Sequence, residues 1–376
     1  MCIVLLLLIC YNCLNISKGG SVLNKQLVAS LLLNWYSAHF RPLPWRSEPT
    51  PYHVWVSEIM LQQTRIEAVL PYYRRFIDAL PTVEDLAHAP SELLLKLWEG
   101  LGYYSRVKNM QKAAQKIVND FGGVIPSDYD VLLTLPGIGP YTAGAISSIA
   151  YNRPAAAVDG NVMRVLARLT ADDTDVLSND GKKRFTALAW ELVPAYEAGR
   201  FNQAIMELGE TVCLPNGVPH CAECPLRDEC EAHRQGVEQQ LPVRIKKTKR
   251  RVEHRQVALV CVDTYPRSVL LHKRSGEGLL ADLWELPNTL DNDPLASLPI
   301  ELRDCCLHCG DLPETKHLFS HIEWRMNGAM YHVDSVDGLP EDFALADLAA
   351  LQTAFPLPSA FRAYAALLPQ LLDEEC

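Results

Sequence analysis

Length, composition and charge narrow the possible classes of protein before any motif is considered. The chain has 376 residues, which is more than one hydrophobic core usually serves, so we expect two domains. With 48% apolar and 21% charged residues the composition is globular, and it fits neither a disordered chain nor a membrane bundle. The formal net charge of -10 disfavours a general polyanion binder, so any surface that binds nucleic acid must be local.

The chain begins with an apolar segment. The run over residues 3–10 is far too short to cross a bilayer, and no basic residues precede it as they do in a secretory signal. We therefore interpret residues 1–24 as an N-terminal extension of unknown role, either dispensable or the product of a misassigned start.

The pattern of apolar residues changes once along the chain. From residue 25 to about residue 240 apolar residues recur at helical spacing between short Pro or Gly breaks, which predicts an all-α domain. After it, QVALVCVDTYPRSVLLHKR predicts two strands around a Tyr-Pro turn, MNGAMYHVDSV a further strand, and PSAFRAYAALLPQLL a closing helix. The second domain is therefore expected to be smaller and of α+β type. Between the domains, RIKKTKRRVEHR carries seven Lys and Arg and favours a solvated linker over a direct DNA contact.

Four cysteines crowd into one short segment with the spacing C-x7-C-x2-C-x5-C. Short loops can wrap a metal centre that they could not easily bridge in pairs, so the array favours a tetrahedral metal or an iron–sulfur cluster over two disulfides. Spacing alone does not separate iron from zinc. The candidate ligands are Cys213, Cys221, Cys224 and Cys230.

A second group offers ligand types without a partner cluster nearby. It consists of Cys305, Cys306, His308 and Cys309. We interpret these thiols as buried strand cysteines and assign them no metal.

The segment LPGIGPYTAGAI has no charged residue, although its glycines and prolines disrupt regular structure. A turn through Gly137 and Gly139 into the following helix directs unpaired backbone N–H groups outward. With the helix dipole behind them, these donors make a phosphate site that needs no positive side chain. A simple helix-entry turn is the alternative.

Two carboxylates stand out in apolar surroundings. Asp159 follows the apolar run AAAV and precedes a helical pattern, where Asp is also a common N-cap. Glu58 lies in the otherwise apolar VWVSEIML, with Gln62 one turn further on the same face. Burial of such a carboxylate raises its pKa and keeps its proton. Without further information, an N-cap and a rim glutamate remain the plainer interpretations.

Several segments occur in an order that resembles the helix-hairpin-helix glycosylases related to endonuclease III, and within them the adenine DNA glycosylases of the MutY family. They are PWR, VWVSEIMLQQT, GLGYYSR, LPGIGPYTAGAI, VDGNVMRVLARL, NQAIMELG and the cysteine array. The resemblance covers residues 25–232, and a downstream resemblance extends it nearly to the end of the chain. It implies a helix-hairpin-helix domain over residues 25–232, a basic linker over residues 233–254, and a Nudix-like domain over residues 255–376.

The resemblance implies that LPGIG grips DNA phosphates and that Glu58 and Asp159 flank an adenine rotated out of the duplex. Protonated Glu58 then donates to adenine N7, and ionised Asp159 stabilises the oxocarbenium-like sugar or bonds to it transiently. Tyr141 stands where related lyases have a lysine, which implies a monofunctional glycosylase. Tyr141 and Asn161 are expected to hydrogen-bond near Asp159.

Further contacts follow from the same resemblance. Gln63 and Tyr103 are expected to wedge into the base stack, where planar or slim side chains fit, and Thr64 lies near the partner base. Arg46 and Gln203 are expected near adenine. For Tyr103 and Tyr104, plain core packing is the alternative.

The C-terminal part is similar to the Nudix-like module with which these enzymes sense 8-oxoguanine. Phe319, Ser320 and His321 match its recognition loop, and Ser320 could hydrogen-bond the N7–H or O8 edge of the damaged base. Residues 276–290 have no Glu-rich helix to hold Mg²⁺, so nucleotide hydrolysis is not expected.

For the cysteine array the resemblance implies a [4Fe-4S] cluster. The family usually separates the first two cysteines by six residues, and LPNGVPH supplies seven, which leaves open whether His220 competes as a ligand. We expect a monomeric, intracellular protein, without membrane contact, that binds duplex DNA containing adenine opposite 8-oxoguanine or guanine. A thymine or uracil mismatch glycosylase of the same fold, or a catalytically silent damage-binding protein, are the alternatives.

Overall fold

The computed structural model describes residues 23–245 and 250–373. Residues 1–22 of the predicted extension and residues 246–249 of the predicted linker lie outside this part. By their contacts the described residues form two compact units. The first contains residues 23–55, 126–134 and 138–245, and the second contains residues 56–125, 135–137 and 250–373.

Helices occupy most of the described chain up to residue 235, as the apolar spacing predicts. In chain order they are α1 (Lys25–His39), α2 (Pro44–Ser47), α3 (Pro51–Leu61), α4 (Ile66–Ala79), α5 (Val83–His88), α6 (Ser91–Leu97), α7 (Ser105–Phe121), α8 (Tyr129–Leu132), α9 (Pro140–Ala145), α10 (Gly160–Leu169), α11 (Asn179–Leu192), α12 (Ala198–Thr211) and α13 (Glu231–Gln235). A π-helical segment, Ile146–Ala150, continues α9.

Local signals in the sequence set several helix ends. The Asn24 side chain accepts a hydrogen bond from the Leu27 N–H at 3.1 Å and so caps α1. Thr82 and Asp85 form a capping box at the start of α5. Helix α7 ends at Gly122, which has a left-handed φ of 59°.

The first unit has a helical core built from α1, α10, α11 and α12. Val28 and Leu32 of α1 pack with Leu166 of α10, Phe185 of α11 and Phe201 of α12, and all five are buried. Burial of each large apolar side chain contributes about 1.5–3 kcal/mol before cavity effects. This core fixes α10 and α12, which carry several of the predicted site residues.

The C-terminal part of the second unit is a seven-stranded sheet with short helices around it. Its strands are β1 (Arg251–Val262), β2 (Ser268–Lys273), β3 (Trp284–Glu285), β4 (Asn288–Thr289), β5 (Leu307–Leu318), β6 (Ile322–Val333) and β7 (Phe343–Ala346). The main order is β3-β2-β1-β6-β5, while β4 pairs with β1 and β7 with β2. Strands β1 and β6 run parallel, and the other pairs are antiparallel.

Strand β1 lies at the centre of this sheet and is buried on both faces along its second half. Val257, Leu259 and Cys261 belong to one apolar core, whereas Ala258 and Val260 belong to another. The separation follows from the alternation of side chains along a strand.

The predicted strand pair around the Tyr-Pro turn is confirmed, because β1 pairs with β2 in antiparallel orientation.

The predicted single closing helix is wrong. The segment instead forms a 3-10 turn, Ser359–Phe361, and two short helices, α16 (Arg362–Ala365) and α17 (Leu368–Leu372). Pro369 occupies the first turn of α17, where its missing N–H costs nothing, but it cannot continue a preceding helix. The remaining helices of this part are α14 (Ile300–Arg303) and α15 (Leu348–Thr353).

The prediction that the second cysteine group is buried is also wrong. Cys305 and Cys309 are exposed and Cys306 is half-buried, because this stretch forms a turn and the beginning of the edge strand β5. An edge strand has a neighbour on one side only, so its side chains are less enclosed. His308 faces solvent and lies 3.2 Å from an Asp311 carboxylate oxygen.

Within the described residues, none of the helices combines the length and the apolar character needed to cross a membrane.

Candidate active site and cysteine loop

The uncharged hairpin owes its shape to its glycines. Gly137 has a left-handed φ of 75°, and a Cβ there would lie 2.7 Å from the Asn109 Cβ. Gly139 is the N-cap of α9, and Pro140 takes the first helical position. The backbone thus enters α9 with no side chain covering Gly139, and the first-turn N–H groups of a helix have no partner within it. Phosphate binding at this turn stays a prediction, and the open space at Gly139 is compatible with it.

Asp159 is held by hydrogen bonds on both carboxylate oxygens. As the N-cap of α10, its Oδ1 accepts from the Val162 N–H at 2.8 Å, and its Oδ2 accepts from Asn161 Nδ2 at 2.9 Å. Desolvation by burial raises the pKa of Asp159, against the lowering effect of these hydrogen bonds and of the Arg164 charge. Asp159 is thus the N-cap of α10, as the plainer interpretation expects. Its catalytic role stays a prediction.

Asn161 is fixed in turn by the helix behind it. Its Oδ1 accepts from Arg164 Nη2 at 2.7 Å. A Cβ on Gly209 of α12 would lie 2.7 Å from the Asn161 Cβ, so only glycine permits this approach of the two helices. The Asn161 amide therefore has one orientation in which it can donate to Asp159.

Arg164 extends this network to the cysteine loop. Its Nε donates to the Cys213 carbonyl at 2.8 Å, and its Nη2 also donates to the Gly209 carbonyl at 2.7 Å. A continuous chain of hydrogen bonds thus leads from Asp159 through Asn161 and Arg164 to Cys213. Sequence reasoning missed Arg164, although an arginine within the apolar face of VDGNVMRVLARL is a signal that could have found it.

Tyr141, Arg46 and Gln203 also lie in the first unit. The Tyr141 hydroxyl lies 3.4 Å from Met206 Sδ. Arg46 Nη2 donates to the buried Glu207 carboxylate at 2.7 Å. The Tyr36 hydroxyl donates to Gln203 Oε1 at 3.2 Å.

Arg46 and Gln203 line one open pocket of about 530 Å³ together with Tyr36 and Phe40. Aromatic faces beside an amide and a guanidinium are groups that suit a nucleobase. Asp159 and Tyr141 do not line this pocket.

The second unit holds Glu58 and the predicted wedge residues. Glu58 lies in α3 and is only 6% exposed. Gln63 and Tyr103 both have left-handed backbone conformations, with φ of 60° and 50°, which is uncommon outside glycine. Tyr103 is 47% exposed whereas Tyr104 beside it is 6% exposed, so core packing accounts for Tyr104 but not for Tyr103.

The loop around Ser320 approaches Tyr103. The two hydroxyl oxygens lie 2.8 Å apart and share a hydrogen bond. Phe319 packs edge-on against Trp324 at a centroid distance of 4.9 Å, and the His321 carbonyl accepts from the Arg251 N–H at 3.0 Å. Tyr103 and all three residues of the predicted recognition loop line one pocket of about 780 Å³. Thr64 is half-buried, and its hydroxyl lies 3.4 Å from the Gln62 carbonyl.

The four cysteines of the array line a single pocket in the first unit, whose walls are otherwise largely apolar. The cysteines are Cys213, Cys221, Cys224 and Cys230, and their neighbours include Leu208 and Leu226. Arg168 Nη1 donates to Cys213 Sγ at 3.2 Å. Burial raises the pKa of Cys224 to about 12 and that of Cys230 to about 11, so these thiols need a bound cation to ionise at neutral pH. Four soft donors around one apolar space fit a metal centre.

His220, the possible competing ligand, is exposed and does not line this pocket. His233 does, with its Nδ1 2.6 Å from Glu238 Oε1. Ligand atoms of Cys221, His233 and Glu238 all lie within 4.8 Å of one another. Among the described residues, His233 and not His220 thus lies beside the four cysteines.

Both parts of the chain match known protein families. Residues 56–195 match the family model of the HhH-GPD superfamily base excision DNA repair protein, and residues 257–367 match that of the NUDIX domain. The first part thus has the helix-hairpin-helix fold of DNA-repair glycosylases, and the predicted fold class is confirmed.

Named relatives narrow this class. The chain is 38% identical over 352 residues to the adenine DNA glycosylase of Mus musculus, covering 78% of this chain and 68% of that protein. It is 33% identical over 302 residues to that of Buchnera aphidicola, covering 79% and 83%. A solved thermostable thymine-DNA glycosylase shares 28% identity with a TM-score of 0.51, over 56% of this chain and 97% of that one. The chain belongs to the adenine DNA glycosylase family, as its motifs predict.

Proposed function

We propose that this protein is a monofunctional DNA glycosylase that removes adenine mispaired with 8-oxoguanine or guanine in duplex DNA. The family supports the adenine specificity. The observation that carries the chemistry is Asp159, whose two oxygens are fixed by the start of α10 and by Asn161. A carboxylate held in this way can stabilise a developing positive charge without reorganising during the reaction.

The reaction breaks the bond between adenine N9 and the C1′ of deoxyribose. Adenine first rotates out of the duplex. Glu58, protonated, donates to adenine N7 as the base departs with the bonding electrons, and Asp159 stabilises the oxocarbenium-like sugar. Water then adds to C1′ and loses a proton, which leaves an abasic site. Tyr141 offers a hydroxyl where a lyase needs an amine, so no Schiff base forms and the strand is not cut.

DNA is held by the hairpin, with Gly137 and Gly139 leaving the backbone N–H groups open to phosphate. Gln63 and Tyr103 enter the base stack, and Thr64 lies beside the partner base. Arg46 and Gln203 lie near the adenine. Phe319, Ser320 and His321 recognise 8-oxoguanine, and their shared pocket with Tyr103 supports this assignment.

The cysteine loop holds a [4Fe-4S] cluster, with one thiolate from each of the four cysteines of the array. The apolar pocket that they share supports this assignment, and the cluster when bound organises the loop next to α10. Free cysteines persist in a reducing compartment, so we place this protein inside the cell, where it binds DNA. We expect it to be a monomer. The glycosylase domain spans residues 25–232, the linker residues 233–254 and the recognition domain residues 255–376.

Loss of one cluster ligand tests the assignment of the cofactor. Cys224→Ser is expected to lose iron and acid-labile sulfide together with the visible absorption of the cluster, and to weaken duplex binding, because the loop loses its cross-link. Cys305→Ser, at an exposed thiol of the other unit, is the matched control and should keep all three properties. A Cys224→Ser protein with full iron and sulfide would contradict the ligand set, and stoichiometric zinc in the wild type would contradict the cluster.

The function itself is tested with three duplexes under single-turnover conditions. We expect fast adenine release opposite 8-oxoguanine, slower release opposite guanine, and negligible thymine release opposite guanine. Borohydride should trap little enzyme on DNA, because Tyr141 cannot form an imine. Preferential thymine release would favour a mismatch glycosylase, which the structural similarity to a thymine-DNA glycosylase makes the second candidate. Binding without release of any base would favour a damage-binding protein.

A further inference from the structure

Arg106 is the last residue of the GLGYYSR segment and has no assigned role. It is the second residue of α7, and its guanidinium contacts five main-chain carbonyls from two separate turns. Nη1 donates to Ile59 at 2.6 Å, Met60 at 3.3 Å and Gln62 at 2.9 Å, and Nη2 donates to Leu101 at 3.2 Å and Gly102 at 3.1 Å.

The first three carbonyls lie at the C-terminal end of α3, where the helix cannot pair them itself. The end of a helix often continues into a left-handed residue, which is usually glycine. Here Gln63 takes that conformation, at a φ of 60°. A cation at this end also faces the negative pole of the helix dipole. Arg106 thus stabilises a turn that the Gln63 backbone does not favour by itself.

The other two carbonyls directly precede Tyr103, which also has a left-handed φ, of 50°. The Arg106 guanidinium carbon lies 5.6 Å from the centre of the Tyr103 ring and 5.3 Å from that of Trp98. Trp98 Nε1 donates to the Gly102 carbonyl at 3.0 Å, which fixes the same turn from its other side. Burial lowers the pKa of Arg106 to about 10, so the group keeps its charge at neutral pH.

We propose that Arg106 is a positioning residue for base extrusion, which joins the two turns so that Gln63 and Tyr103 enter the base stack as one rigid pair. This inference rests on the proposed function, since it assigns both side chains to the opened stack. The contacts of Arg106 described above are with main-chain carbonyls and aromatic rings. Its guanidinium fork suits the task because one planar group can serve several carbonyls at fixed angles, which an ammonium cannot.

The test separates opening of the stack from cleavage of the glycosidic bond. Full-length, cluster-containing Arg106→Gln is compared with wild type on two duplexes with adenine opposite 8-oxoguanine. In one duplex the flanking pairs are intact, and in the other they are mismatched, so that the adenine is already unstacked. On the intact duplex the single-turnover rate should fall roughly 100-fold, as a small misplacement of positioning groups can cause. On the unstacked duplex the single-turnover rate should fall by less than about fivefold, because extrusion of an unstacked base costs little free energy.

A second readout follows extrusion directly. With 2-aminopurine beside the target adenine, the rise in fluorescence on binding should be slower or smaller for Arg106→Gln than for wild type. Arg75→Gln is the matched control, because Arg75 also donates to a main-chain carbonyl, that of Leu97 at 3.3 Å, and lies 4.9 Å from a tyrosine ring. The control should retain wild-type rates on both duplexes.

Equal losses on both duplexes, or no loss on either, would overturn the inference. If Arg106→Gln does not fold, Arg106→Lys keeps the charge but not the fork, and it should show the same split between duplexes to a smaller degree. A folded Arg106→Lys without that split would also overturn it. If wild type releases adenine from neither duplex, the proposed function has failed instead.

Discussion

Glu58→Gln is expected to abolish adenine release while leaving duplex binding largely intact. Glutamine has nearly the same volume as glutamate, so the buried site in α3 keeps its packing. It has no acidic proton to give to adenine N7, and the base must then leave as a poor anionic leaving group. General acid catalysis alone contributes about 10²–10⁴-fold, so the single-turnover rate should fall by at least that amount.

The measurement pairs base release with binding to the same duplex, which contains adenine opposite 8-oxoguanine. Glu67→Gln is the control, because it makes the same chemical change at an exposed position in the first turn of α4. The control should leave both rate and affinity unchanged. A Glu58→Gln protein that still released adenine at near the wild-type rate would remove Glu58 from the chemistry, and one that lost binding as well would point to a structural role.

Sequence patterns predict those features that depend on neighbouring residues. Helical spacing around Glu58 predicts α3, and an Asp before a helical pattern predicts the N-cap at Asp159; both are local relations between neighbouring residues. The cysteine spacing likewise predicts a shared pocket, because the loop is too short to separate the thiols. For such features the sequence alone was sufficient.

Other features depend on contacts between distant segments. The pattern does not distinguish Tyr103 from Tyr104, since their opposite exposures follow from a left-handed backbone that Arg106 and Trp98 hold in place. The hydrogen bonds from Asn161 through Arg164 to Cys213 join α10 to the distant cysteine loop, and no periodicity in the sequence predicts them. The pattern predicts Cys309 to be a buried strand cysteine, yet β5 is an edge strand, and edge position is a property of the whole sheet.

Asp159→Asn is expected to remove activity and at the same time to stabilise the folded protein. Asparagine is as good an N-cap as aspartate, and its carboxamide oxygen can still accept from the Val162 N–H. Its NH2 group cannot accept from Asn161 as the second carboxylate oxygen does, and this loss offsets part of the gain. It carries no negative charge to stabilise the sugar cation, so adenine release should fall by about 10²–10³-fold or more. The gain in stability has the same origin, because a charge that is useful in the transition state costs free energy to bury before DNA is bound.

The pKa of Asp159 gives the sign of the pH dependence. Burial raises it above the ordinary value of 3.8, so the folded state binds the proton more tightly than the unfolded state does. Ionised Asp159 therefore destabilises the folded protein at neutral pH, and this cost disappears as the pH falls through the raised pKa towards 3.8. Asp159→Asn should therefore melt above wild type at neutral pH, by a margin that loss of the hydrogen bond from Asn161 reduces. The difference should shrink on acidification.

Asp172 provides a control of opposite sign. Burial alone would raise its pKa, but hydrogen bonds from Thr174 and the ion pair with Arg184 lower it. Its ionised form therefore stabilises the folded state at neutral pH, and that contribution is lost as the pH falls through the lowered pKa. Asp172→Asn should melt below wild type at neutral pH without loss of the catalytic step. If Asp159→Asn also melted below wild type, the Asp159 carboxylate would be a net stabilising group of the folded protein, contrary to the direction of its pKa shift.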